Sequence, residues 1–260
     1  MLYLDSDYIN KDGKIIERDK LSYISRGSNA SVWKYQVDDT LDSMALKTFF
    51  PWTRKYCLNL KVYERMKDLP LKNIIVPKDI YYRLDNSSLS DEDFDAYLMN
   101  YIEKENKNLL SDISLEHLLQ NIASLEDDIN ILTEHNILMD DIKFKNSIIC
   151  SRDLQLYITD IDMFSCVDST KLSDVDIFYS DYKTRKFNNL RENRYMLLLL
   201  IEYHFINDIG SILSKEKKAS IENFLYTYFS FDNLGNESIT NHVEKLFQGY
   251  DSPKEYFIKR

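Results

Sequence analysis

Glycine and proline are scarce in this chain, five and four in 260 residues. Turns that need a left-handed backbone are therefore few, and collagen-like or proline-rich architectures are excluded. Cysteine is rarer still. Cys57, Cys150 and Cys166 include no CxxC pair, and their odd number leaves at least one unpaired. That usage argues for a reducing compartment and against a structural zinc site, and the four histidines show no metal-ligand spacing. Positive charge is in the minority: 33 Lys and Arg against 43 Asp and Glu give a net charge of −10. This balance excludes a protein that coats nucleic acid, although it leaves room for a local basic pocket. Long apolar runs are missing too. The longest, residues 195–201 (YMLLLLI), falls far short of the ~20 residues that a membrane span needs. The opening MLYLDSDYINKDGK lacks a basic stretch followed by an apolar one. These absences lead to the expectation of a soluble, cytoplasmic protein with neither nucleic-acid nor membrane partners.

What is present is a globular composition. Hydrophobic residues at 44% and charged residues at 29% suffice for a packed core. The first hundred residues read as strands. Residues 8–9 and 15–16 flank Asp12-Gly13 as a hairpin. Residues 21–24, 31–37, 44–49, 74–76, 80–84 and 96–102 are further β-prone runs. Residues 56–69 interrupt them with a helix whose Val62, Tyr63, Met66 and Leu69 share a face. The acidic stretch 86–95 reads as an exposed loop. Beyond Glu103 the character changes. Residues 114–134 carry Leu115, Leu118, Leu119, Ile122, Leu125, Ile129 and Leu132 at helical spacing. Short strands are expected at 147–150 and 156–159, a helix apolar nearly all round at 192–205, and amphipathic helices near 221–229 and 239–247. The expected fold class is α+β, with a small β-rich lobe over about 1–103 and a larger helical lobe over about 104–260. A link around 101–106 joins the lobes into one domain.

Chemistry concentrates in residues 135–146, HNILMDDIKFKN, between the long helix and a β-prone run. Asp141, Lys143 and Asn146 offer a carboxylate, a cation and an amide oxygen at D-x-K-x-x-N spacing. The carboxylate can orient an attacking hydroxyl, the cation can meet a moving phosphoryl group, and the amide oxygen suits a hard metal ion. Fourteen positions beyond Asn146, an apolar run ends in Asp160-Ile-Asp162. A carboxylate delivered by a buried strand is a natural Mg²⁺ ligand. Ala45-Leu46-Lys47 lies on an expected strand, and fifteen residues before the lysine stands Val32, within Ser25-Arg-Gly27-Ser-Asn-Ala-Ser-Val32. Tyr97-Leu-Met99-Asn100-Tyr-Ile102 forms another strand leading into the link.

In this order and at these distances, the segments resemble the protein-kinase-like superfamily over roughly residues 21–210. D-x-K-x-x-N resembles its catalytic loop, and His135 and Ile137 match the usual lead-in. Asp160-Ile-Asp162 stands where kinases carry Asp-Phe-Gly, Ala45-Leu46-Lys47 resembles V-A-I-K, and Gly27 and Val32 align with G-x-G-x-x-G-x-V. The resemblance implies a bilobal fold with Mg·ATP in its cleft. It implies Asp141 as catalytic base, Lys143 on the γ-phosphate, Lys47 on the α/β-phosphates, and Asn146 and Asp160 on Mg²⁺. Asp162 would help hold the metal or cap a turn. Gly27, Val32 and Ala45 would contribute to the nucleotide site. Met99 would stand at the back of the pocket, and the backbone of Asn100 and Ile102 would face the adenine edge. The implied reaction moves the γ-phosphoryl of ATP to a hydroxyl, and Lys143 favours a Ser/Thr side chain of a protein substrate.

The chain departs from the family in four places. The register of the helix over 56–69 puts Asn59 inward, where the family has the glutamate that pairs with the strand lysine. Glu64, about 140° around the helix from Asn59, is the other candidate partner of Lys47. Met139-Asp140 replaces His-Arg, and Asp162 replaces the glycine of Asp-Phe-Gly, as in small-molecule kinases of the aminoglycoside and choline type. Nothing like Ala-Pro-Glu lies between Asp162 and Glu192, and Asn193-Arg-Tyr195 occupies the D-x-Y slot of a buried helix aspartate. A small-molecule kinase and a nucleotide-binding pseudokinase thus stand as alternatives to an atypical, bacterial-type Ser/Thr protein kinase.

Overall fold

Alternating apolar side chains build an antiparallel sheet from the first hundred residues, and helical repeats build most of the remaining chain. The structure, a computed structural model, describes residues 6–27, 29–36, 43–52, 60–85, 94–103, 110–139, 148–151, 154–159, 161–162, 164–166 and 190–260. The fold is α+β, and the chain divides into two compact units. The first comprises Met1–Leu69, Ile75–Ile102 and Ile161–Phe164; the second comprises Pro70–Ile74, Glu103–Asp160 and Ser165–Arg260.

The first unit holds strands β1 (Tyr8–Ile9), β2 (Ile15–Ile16), β3 (Leu21–Arg26), β4 (Ala30–Gln36), β5 (Ser43–Phe49), β6 (Asp79–Arg83) and β7 (Ala96–Asn100), with helix α1 (Leu60–Met66) between β5 and β6. The order is β2-β1-β6-β7-β5-β4-β3, with every pairing antiparallel. Gly13, at φ +83, makes the left-handed turn that joins β1 to β2. Side chains alternate between faces. On one face Trp33, Leu46 and Leu98 stand in a cross-strand row and pack with Tyr8, Ile16 and Tyr81. The opposite face carries Val32, Ala45, Lys47, Tyr97 and Met99. Helix α1 buries Val62, Tyr63 and Met66, three of the four residues expected on its apolar face.

The strand expected at 74–76 does not form. Ile74 makes only an isolated parallel bridge to Ile158, because residues 70–74 belong to the second unit. Asp128 holds them there: its carboxylate accepts the N–H groups of Lys72 at 3.0 Å, Asn73 at 2.6 Å and Ile74 at 3.0 Å.

Asp128 lies on α2 (Leu115–Glu134), a 20-residue helix of the second unit. Ser114 caps it, accepting from the His117 N–H at 3.3 Å. Leu118, Ile122, Leu125, Ile129 and Leu132 form its buried stripe, where each Leu→Ala truncation costs about 2–5 kcal/mol. Strands β8 (Ile137–Leu138), β9 (Ile148–Cys150), β10 (Leu156–Ile158) and β11 (Ser165–Cys166) come next, with β9 paired to β10 and β8 to β11. Helices α3 (Leu190–Ile212), α4 (Lys215–Tyr228), α5 (Phe231–Leu234), α6 (Ile239–Phe247) and α7 (Pro253–Lys259) complete the chain. Helix α3 runs beyond the expected 192–205 in both directions. Its Phe205 packs against Phe229, Phe247 and Phe257. Helix α7 is not among the expected elements, although Ser252-Pro253-Lys-Glu255 is a helix-start signal: Pro occupies the first turn and the Ser252 Oγ accepts the Glu255 N–H at 3.3 Å. Among the described residues no helix is long and apolar enough to cross a membrane.

Candidate functional site

Lys47 stands on β5, with β4 on one side and β7 on the other. Its ladder partners are Val32 and Tyr97, and one row away Ala45 lies between Lys34 and Met99. Directly opposed residues project from the same face of a sheet. Three segments far apart in sequence therefore contribute to one patch. Ala45, Tyr97 and Met99 are buried, and Val32 is half-buried.

The Lys47 side chain is only 12% exposed, so its ammonium needs compensation. Asp162 supplies it. Its Oδ2 lies 2.5 Å from the Lys47 Nζ, and its Oδ1 accepts the Tyr97 hydroxyl at 2.7 Å. Both oxygens thus take charge-assisted hydrogen bonds. Asp162 belongs to the short segment Ile161–Phe164 of the same unit, where the Phe164 N–H donates to the Ile161 carbonyl at 3.1 Å and both residues are buried. The Lys47 Nζ also sits 5.9 Å from the ring centres of Phe49 and Tyr97, near the outer limit of a cation–π contact.

The remaining nucleotide candidates lie at the ends of β3 and β7. Gly27 follows β3, and its N–H donates to the Ala30 carbonyl at 2.8 Å. A Cβ there would meet only the Ala30 carbonyl oxygen, at 3.8 Å, so the backbone does not itself require glycine. Strand β7 stops at the exposed Asn100, short of the expected 102, and Ile102 lies beyond it half-buried. Between them, the Tyr101 ring carries the Lys34 ammonium 4.7 Å from its centre. Glu64 is half exposed and pairs with Lys67 at 2.5 Å. Asn59 lies outside the described residues.

In the second unit, the approach to the D-x-K-x-x-N segment is held by Asn193 of α3. Its Oδ1 accepts the Met139 N–H at 2.8 Å, while its Nδ2 donates to the Ile137 carbonyl at 2.7 Å and to Thr133 Oγ1 at 3.0 Å. An amide can accept and donate in this way, whereas a carboxylate only accepts. Asn193 is 1% exposed. Asp141, Lys143, Asn146 and Asp160 lie outside the described residues. Among the described residues no group of three or more His, Cys, Asp or Glu is placed to hold a metal ion.

Two of the residues that organise these regions are not among the candidates read from sequence as site residues. Tyr97 looks like an ordinary core-strand residue, although a buried tyrosine hydroxyl calls for a partner. Asn193 opens an apolar helix, where an amide calls for one too. The sequence matches no protein-family model and no curated protein.

Proposed function

We propose that this chain is an ATP-dependent phosphotransferase of protein-kinase-like, bilobal fold, acting in the cytoplasm on Ser/Thr hydroxyls of a protein substrate. The observation that carries this reading is the row Val32–Lys47–Tyr97 with its neighbour Ala45–Met99. The three segments that resemble the phosphate-covering loop, the lysine strand and the adenine strand become adjacent only through the order of the sheet. A cation beside small apolar side chains suits a triphosphate joined to a flat base. In this reading Lys47 meets the phosphates, Asn146 and Asp160 hold Mg²⁺, and Asp141 orients the acceptor hydroxyl. Bound Mg·ATP supplies the transferable phosphoryl group. Asn193 brackets the backbone that leads to Asp141.

Nucleotide binding is the first test. Mg·ATP at a hundredfold excess over Kd should stabilise the protein by about 2.7 kcal/mol, and the absence of any thermal shift at millimolar Mg·ATP would sink the reading. Asp141→Asn should still fold and bind Mg·ATP but lose phosphoryl transfer by at least about 10²-fold. Mass spectrometry after incubation with Mg·ATP, alone and with cell lysate, reads that transfer and separates a protein acceptor from a small molecule. One observation favours a pseudokinase as the second reading: both oxygens of Asp162 are already engaged, one of them by the Lys47 ammonium. That reading requires ATP binding, with wild type and Asp141→Asn equally silent toward every acceptor.

A further inference from the structure

Lys47 and Tyr97 are opposed in adjacent strands, so both side chains leave the same face, and Asp162 closes over them with one oxygen on each. A carboxylate held at a single oxygen can rotate about its χ angles; held at both, it has a defined plane and position. Burial is nearly complete: the Tyr97 residue is 0% exposed and the Asp162 side chain 8%. The Tyr97 ring is packed against Phe49, 5.5 Å between centres, so its hydroxyl has little freedom to move. Helix α1 offers no competing carboxylate among its described residues, since Glu64 is paired to Lys67 on the solvent side.

We propose that Tyr97 is a positioning residue: its hydroxyl orients the Asp162 carboxylate, and the oriented carboxylate in turn aims the Lys47 ammonium at the phosphates of a bound nucleotide. This inference rests on the reading of Lys47 as a phosphate ligand. Its mark is selectivity, because a misdirected lysine weakens contact with phosphates but not with the nucleoside.

The test compares Mg·ATP and adenosine binding, by calorimetry, in wild type, Tyr97→Phe, Asp162→Ala and the double variant. Phenylalanine keeps the ring and its packing and removes only the hydroxyl. Tyr97→Phe should weaken Mg·ATP about tenfold, the scale of one hydrogen bond to a charged group, and leave adenosine unchanged. In the Asp162→Ala background the hydroxyl has nothing to orient, so adding Tyr97→Phe should change Mg·ATP affinity no further. Unchanged Mg·ATP affinity in Tyr97→Phe, equal losses for Mg·ATP and adenosine, or additive losses in the double variant would each overturn the role of Tyr97 while leaving the nucleotide reading intact. Failure of the wild type to bind either ligand would overturn both.

Discussion

The two units differ in how their interiors carry charge, although both hold an acid matched by backbone: Asp95 of the sheet unit, 1% exposed, accepts the Arg83 N–H at 2.7 Å. In the sheet unit a lysine and an aspartate, both nearly inaccessible, neutralise each other at 2.5 Å. In the helical unit, acids of the interior are matched by backbone or hold their proton. Asp128 takes three N–H groups of residues 72–74. Glu126 takes those of Ile239 and Thr240 at the start of α6. Asp208 accepts the Ser111 N–H at 2.8 Å, yet burial still pushes its carboxyl up to about 6. Glu202 is 7% exposed, and burial raises it to about 8. Amide dipoles satisfy a carboxylate's lone pairs and build architecture, whereas a buried ion pair costs desolvation on both sides. A buried pair is a weak source of stability, so the one beside the candidate site invites a functional reason, and the amide-bound acids do not.

This contrast can be broken by substitution. Asp128→Ala should have the largest effect, because it strands three N–H groups that the carboxylate now satisfies; a loss of about 3–6 kcal/mol is expected in urea denaturation. A loss near zero would mean that residues 70–74 are held by something else. Lys47→Met should cost about 3 kcal/mol by leaving Asp162 buried without its counter-ion. Should Lys47→Met instead match wild type, the pair contributes nothing that a methionine does not.

Glu202 sharpens the comparison through pH. Its folded value of about 8 exceeds its ordinary 4.5. Between those limits the folded state keeps a proton that the unfolded chain has released, so stability falls as pH rises through this window and levels off above it. Glu202→Gln should therefore be more stable than wild type at pH 8 by on the order of 2 kcal/mol, and about equal to it at pH 4. Parallel stability profiles for the two proteins would show that Glu202 does not titrate in this window. Asp208 tilts the profile the same way between 3.8 and about 6. The smallest effect belongs to Glu64→Ala, which removes a solvent-side pair with Lys67. Its thermal midpoint and ATP affinity should match wild type, and a tenfold change in turnover would relocate the partner of Lys47 to helix α1.

Elements with a strong local signal read directly from the chain. The apolar stripe of α2 put the helix within one residue of its observed start, and Asp12-Gly13 placed the first hairpin. Helix α6 has the bounds its amphipathic pattern indicated. The strand expected at 74–76 is absent because a β-prone triplet carries no information about its partner. Ile74 is claimed by Asp128 and Ile158, both distant in sequence. Helix α4 begins at Lys215, well before the apolar stretch at 221, because its polar first turns need only backbone bonds and solvent.

The candidate site divides along the same line. Composition and spacing alone determined that Lys47 would sit on a strand, that Tyr97-Leu-Met99 would be another, and that Asn193 would open a helix, since each depends on side chains a few positions apart. Only the tertiary structure decided what these residues touch. The sheet order set Lys47 opposite Tyr97, and chain closure brought Asp162 onto both, while Glu64 pairs with Lys67 instead of serving as the lysine's counter-ion. Asn193 became the bracket for residues 137–139 in the same way. A buried charge or amide requires a partner, but which partner depends on long-range chain geometry that no local pattern encodes.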